Sequence, residues 1–202
     1  MATGASQQTI QGRELLIQVA RRLFLERGYA QVSIQQIAEE ASMTKGAPYY
    51  HFANKQDLFI HVCLDILAEF KWRLETGLSG EGSFQDRIER ATVDIVRAMS
   101  GDFSQWYSDL VKLDDKQAFG AAVELAHGAN EMEHIILPVF SDASEKGEIT
   151  RVSPEVAVRS YFLLLKATID DCGQFPKRFP GRELDIESRV HELVDIYFHG
   201  VA

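Results

Sequence analysis

Apolar residues recur three and four positions apart along almost the whole chain, which predicts helices throughout and no strand of useful length. Leu16, Val19, Ala20 and Leu23 form one such stripe, with Arg21, Arg22, Glu26 and Arg27 off it, and Gly28 supplies a left-handed stop. A second, short helix opens on Ser33, which with Gln36 makes the S-x-x-Q capping box. Its buried stripe is Ile34, Ile37, Ala38 and Ala41. A third short segment follows Ser42 and Met43. A fourth helix begins at Asn54, a good N-cap, and runs through Phe59, Val62, Cys63, Ile66 and Phe70.

Beyond the Gly- and Ser-containing residues 77–83 the helical period resumes. Phe84, Ile88, Ala91 and Ile95 share a face, as do Phe103, Trp106, Tyr107 and Leu110, and then Phe119, Ala122, Val123 and Ala126. Met132, Ile135, Ile136, Val139 and Phe140 form a stripe interrupted by Pro138, where a kink is expected because proline lacks a donor and crowds the preceding turn. Ser153, Pro154 and Glu155 give a helix start by N-cap, first-position proline and first-turn acid. The helix behind them, residues 156–172, is apolar on nearly all sides and calls for cover on two of them. A last helix is predicted over residues 183–199, with Ile186, Val190, Leu193, Val194 and Tyr197 on one face. The expectation is an all-α chain of about nine helices.

Function is most legible in residues 33–52. Two helices this short are not stable alone. Held by flanking helices and joined by three or four residues, they have the geometry of a helix-turn-helix, whose second helix enters the DNA major groove. The outward face would carry Thr44, Lys45, Gly46, Tyr49, Tyr50 and His51. Small residues there let the backbone approach base edges, while lysine and aromatic hydroxyls suit phosphate and base contacts. Solvated polar surface between packed helices is the plainer alternative for any one of them. Pro48 complicates the segment. With Thr44 as N-cap it removes the first intrahelical bond and pushes Ala47 from helical angles, so a late start or a distorted first turn is expected.

The pattern Ile37-Ala38-x-x-Ala41-x-Met43-Thr44-x-Gly46-x-x-Tyr49-x-His51-Phe52, then Asn54-Lys55-x-x-Leu58, resembles the tetracycline-repressor (TetR) family. So does the preceding Ala20-x-x-Leu23-Phe24-x-x-x-Gly28-Tyr29. The likeness covers roughly residues 13–60. It implies a three-helix DNA-binding domain over residues 1–55 and a larger helical effector-binding and dimerisation domain over residues 56–202. It further implies that Ser33 touches phosphate as well as capping, and that Gln35 projects toward DNA. Thr44, Lys45, Gly46 and Ala47 would face bases, and Tyr49, Tyr50 and His51 would meet backbone or bases. Lys55, at the start of the fourth helix, would hold a phosphate with help from the helix dipole. A homodimer on a near-palindromic operator, most simply a repressor released by a small effector, is the corresponding function.

Charge changes this picture only in detail. The 202 residues carry a net charge of −9, but residues 1–60 hold six basic and five acidic groups, so the acid load lies elsewhere. A nearly neutral head implies modest non-specific DNA binding. The two-sided apolar helix at 156–172 is most simply covered by a second copy; burial within one chain is the alternative. The aromatic stripes of the middle segment read first as ordinary core. An apolar or aromatic effector lined by Trp106, Tyr107, His134 and Tyr161 is the functional alternative. His127, Glu131 and His134 fall at i, i+4 and i+7, a spacing that could hold a divalent metal. Surface histidines beside an acid are the commoner reading, and no metal or cofactor is assigned. Cys63 and Cys172 read as small core residues. No apolar run is long enough to span a membrane and residues 1–11 lack an apolar secretion core, so a cytoplasmic location is expected. No enzyme motif is evident. A helical small-molecule-binding or scaffold protein without DNA binding is the competing class.

Overall fold

The computed structural model describes the backbone of residues 3–99 and 116–201 and the side chains of residues 9–99, 131–176 and 178–199. Among the described residues there are seven α-helices and no strand: α1 Thr3–Arg27, α2 Ile34–Glu40, α3 Lys55–Leu78, α4 Phe84–Met99, α5 Lys116–Glu145, α6 Pro154–Arg178 and α7 Ile186–Val201. Two 3₁₀ turns, Tyr29–Gln31 and Ala47–Tyr50, complete the list. Against the expected count of about nine, the described residues hold seven. The expected third helix winds instead as the turn Ala47–Tyr50, because Pro48 brings no N–H and crowds the residue before it. The helix expected around Phe103, Trp106, Tyr107 and Leu110 lies outside the described residues.

Among the described residues, 3–67 with 116–125 form one compact unit, and 68–99 with 126–201 form a second. The boundaries fall inside α3 and α5. In the first unit the stripe Leu16, Ala20, Leu23 and Phe24 of α1 is buried together with Ile37 and Ala38 of α2 and Leu58, Phe59 and Val62 of α3. Phe24, Tyr29 and Phe59 make an aromatic cluster, with the Phe24 and Phe59 rings edge-on at 5.3 Å and Tyr29 and Phe59 at 4.7 Å. α1 begins well before the apolar stripe, at Thr3, and ends where the sequence places the stop: Gly28 takes φ 81°. Such an angle is costly for a residue with a Cβ.

In the second unit α4 buries Phe84, Ile88, Ala91 and Ile95, the periodic face read from the sequence, and Met99 as well. Phe140 of α5 meets Phe84 edge-on at 4.8 Å, and Tyr161 of α6 with Val190, Val194 and Tyr197 of α7 fill the rest. α5 runs on through Pro138, which faces solvent. Ser153 caps α6 with Pro154 in its first turn, as its sequence indicates. At the end of α3 a Cβ placed on Gly77 would lie 2.6 Å from the Cα of Ala91, so α3 and α4 cross there backbone against backbone. Cys63 and Cys172 are buried free thiols.

Candidate nucleic-acid interface

The interface is assembled from its caps outward. Ser33 is extended, and its hydroxyl accepts the Gln36 N–H at 3.1 Å, while the Gln36 side-chain oxygen accepts the Ser33 N–H at 2.7 Å. Both halves of the capping box thus fix where α2 begins. α2 ends in a Schellman arrangement: the Met43 N–H reaches the Ala38 carbonyl at 2.8 Å and the Ser42 N–H the Glu39 carbonyl at 3.0 Å. Ser42 occupies the left-handed position of that motif, with φ 56°. The chain reverses over residues 42–46 and enters the turn Ala47–Tyr50, where the Pro48 carbonyl accepts the N–H groups of both His51 (3.0 Å) and Phe52 (2.9 Å).

This winding sorts the side chains. Pro48 and Phe52 are buried and anchor the turn, with the Arg13 guanidinium 5.5 Å from the Phe52 ring. Thr44, Lys45 and Gly46 are exposed, as are Tyr49 (51%) and Tyr50 (88%), while Ala47 and His51 are half-buried. Gln35 is exposed on α2, and its amide donates to the Tyr49 hydroxyl at 3.2 Å. Val32, Ser33, Gln35, Tyr49, Asn54 and Lys55 contribute to an open groove of about 400 Å³. Of the ten candidate DNA-contact residues, Gln35, Thr44, Lys45, Gly46, Tyr49 and Tyr50 are exposed, Ser33, Ala47 and His51 are half-buried, and Lys55 is the tenth.

Lys55 turns inward. Its ammonium donates to the carbonyls of Tyr29 and Val32, each at 2.9 Å, and sits 4.1 Å from the centre of the Tyr29 ring. Burial pushes its pKa below the ordinary lysine value. Nothing in local spacing announces these bonds, because their partners lie 23 and 26 residues upstream. Asn54 caps α3 as expected, accepting the Asp57 N–H at 2.9 Å, while Asp57 accepts the Ala53 N–H at 2.8 Å. The head's other cations are partly answered by acids. Lys45 pairs with Glu39 at 3.6 Å and Arg22 with Glu40 at 2.7 Å. The hydrogen bond from Arg22 holds the Glu40 carboxyl below its usual range.

The candidate effector residues are placed differently. Tyr161 is fully buried, and its hydroxyl lies 3.1 Å from that of Thr92, which itself donates to the Ile88 carbonyl at 2.6 Å. Tyr161 therefore donates to Thr92, and desolvation pushes its pKa up to about 12. His134 is exposed, and Trp106 and Tyr107 lie outside the described residues. The side chain of His127 is also outside them, and Glu131 pairs with Lys71 at 3.5 Å. No helix among the described residues is long and apolar enough to cross a membrane.

Residues 16–62 match the model of the bacterial regulatory proteins of the tetR family. Over 193 residues, covering 94% of this chain and 95% of the relative, the sequence is 24% identical to the HTH-type transcriptional regulator YhgD of Bacillus subtilis. A transcriptional regulator of the TetR/AcrR family from Thermobifida fusca superposes with TM-score 0.69 at 25% identity, covering 93% of this chain and 97% of that one. AibR, solved in complex with isovaleryl coenzyme A and operator DNA, shares the fold with TM-score 0.65 at 20% identity, over 93% of this chain and 98% of its own. The capped two-helix frame, the outward polar turn and these likenesses agree: residues 16–62 form a DNA-binding head of the tetR-family type, and the chain as a whole is similar to DNA-binding transcription regulators of that family.

Proposed function

We propose that this regulator is a ligand-responsive repressor, bound to a near-palindromic operator as a homodimer and released by a small apolar or aromatic effector. The observation that carries the reading is the exposed polar surface of Gln35, Thr44, Lys45, Gly46, Tyr49 and Tyr50, held by the capping box and by buried Pro48 and Phe52. Hydroxyl, amide and backbone groups on a rigid frame suit direct readout in the major groove. In this proposal residues 1–55 read DNA, and residues 56–202 bind effector and dimerise.

Self-association is supported by the face of α6 and α7 that one chain leaves uncovered. Val156, Leu163 (72% exposed) and Ile196 (65% exposed) are large apolar side chains open to solvent. A two-fold pair would set the reading turns roughly 34–36 Å apart, or a multiple of this, on one side of the duplex. That an effector is bound at all is supported by AibR, a protein of the same fold held with isovaleryl coenzyme A, and the apolar or aromatic class by the aromatic stripes of the middle segment. Trp106 and Tyr107 are its proposed contacts. Tyr161 and His134, the first packed in the core and the second at the surface, would serve only if the ligand state rearranges them.

The test is a footprint on the chain's own upstream region at low salt, repeated with a panel of apolar compounds and acyl thioesters. A protected, two-fold-related site lost on adding one of them is the expected result. Absence of any protection overturns the proposal.

A further inference from the structure

Lys55 stands where a phosphate contact is expected, yet its ammonium is already occupied. It donates to two main-chain carbonyls, Tyr29 and Val32, at 2.9 Å each, and lies against the Tyr29 ring at 4.1 Å. Those carbonyls belong to the four residues that lead into Ser33 and the start of α2. Lys55 itself is the first residue of α3, which continues unbroken to Leu78. Along the chain the two elements are separated by all of α2 and the reading turn. Through Lys55 they are joined directly. Tyr29 is held in turn by Phe24 and Phe59, so the receiving end of the bond is fixed by packing. A phosphate would have to draw the ammonium out of a site that satisfies it with two carbonyls and a π face.

We infer that Lys55 is a positioning residue rather than a phosphate ligand: it clamps the entry of α2 to the first turn of α3 and so orients Ser33, Gln35 and the reading turn. The inference rests on the DNA-binding reading above. A phosphate contact and a clamp differ in salt dependence. Each lysine that meets a phosphate contributes about one to the slope of log affinity against log salt, because one counterion is released. Loss of a clamp lowers affinity at every salt concentration and leaves the slope unchanged.

The experiment uses the full chain and the tightest duplex selected from a randomised pool. Lys55→Met, Tyr29→Leu and the double variant are titrated over a range of salt, after circular dichroism has confirmed the native helix content of each. The clamp predicts an affinity loss of about tenfold for Lys55→Met, the scale of one well-made charge-assisted bond, with the wild-type slope. The double variant should lose no more than Lys55→Met alone, since ring and ammonium act as one unit. A slope shallower by about one unit, an unchanged affinity, or additive losses overturns the inference. If Lys55→Met fails to fold, Tyr29→Leu decides: weakened binding at full slope supports the clamp, and wild-type binding overturns it. Should the wild-type chain select no duplex, the DNA-binding reading itself fails, and the two failures are distinguishable.

Discussion

The amide of Gln35 donates to the hydroxyl of Tyr49 across 3.2 Å, tying the outer face of α2 to the reading turn 14 residues later. Both side chains are exposed, so the bond adds little to global stability. Its effect is on order: it holds the phenol in place before DNA arrives. Tyr49→Phe keeps the ring and removes the acceptor. The expected outcome is unchanged thermal stability and about fivefold weaker operator binding by fluorescence anisotropy, the worth of roughly one hydrogen bond. Equal binding by both proteins would show that the pair does not order the surface.

Ser42 supplies a second test. It sits at φ 56° in the Schellman turn that closes α2, a position glycine occupies without steric cost. Ser42→Gly should stabilise the chain by about 0.5–1 kcal/mol, the left-handed penalty less the extra entropy of glycine. Denaturant unfolding with an unchanged m-value would read it directly. Destabilisation would mean that the serine side chain makes a contribution larger than its strain.

The open face of α6 and α7 predicts an oligomerisation phenotype. Leu163 is largely exposed in the single chain, so Leu163→Glu should leave the fold of each subunit intact. Sedimentation equilibrium is expected to shift from dimer to monomer, and operator binding to fall at least about a hundredfold as the second half-site contact is lost. A dimeric Leu163→Glu protein would place the subunit interface elsewhere.

Tyr161 gives a pH dependence with a definite sign. Its pKa rises from the ordinary 10.0 to about 12, because the fully buried phenol loses hydration. The folded state therefore keeps a proton that the unfolded chain releases above pH 10. The stabilisation is complete below pH 10 and is lost as pH climbs toward 12. Tyr197 is shifted upward by the same cause, so Tyr161→Phe should flatten, not abolish, the alkaline fall in stability. Melting temperatures between pH 8 and pH 11 (about the usable range) would show it; identical wild-type and variant profiles would refute the assignment.

How much of this was visible in the sequence depends on how local each cause is. The Ser33 and Gln36 box, the Asn54 cap and the Ser153 and Pro154 start are short-range devices, and each lies where its signature indicates. The stripe of α4 was equally plain, because burial there follows the helical period. Pro48 announced a distorted turn but not its kind, since the choice of a 3₁₀ winding depends on burying Pro48 and Phe52 together. The inward turn of Lys55 and the bond between Gln35 and Tyr49 had no local signal at all. Both are products of how the helices dock. The strained serine at position 42 was hidden for a simpler reason: serine does not advertise a left-handed angle as glycine would.

The winding at Ala47–Tyr50 bears on how such a protein could acquire a new target. A 3₁₀ turn advances each residue by about 120°, against about 100° in an α-helix, and rises about 2.0 Å instead of 1.5 Å. Replacing Pro48 by a residue that permits α geometry would swing Tyr50 by roughly 60° relative to Ala47 and draw the two roughly 1.5 Å closer along the axis. That displacement approaches half the spacing between stacked base pairs. One interior substitution could thus redirect every exposed side chain at the tip without altering any of them. Operator preference in this lineage can drift through the hidden side of the turn as well as through the side that reads DNA.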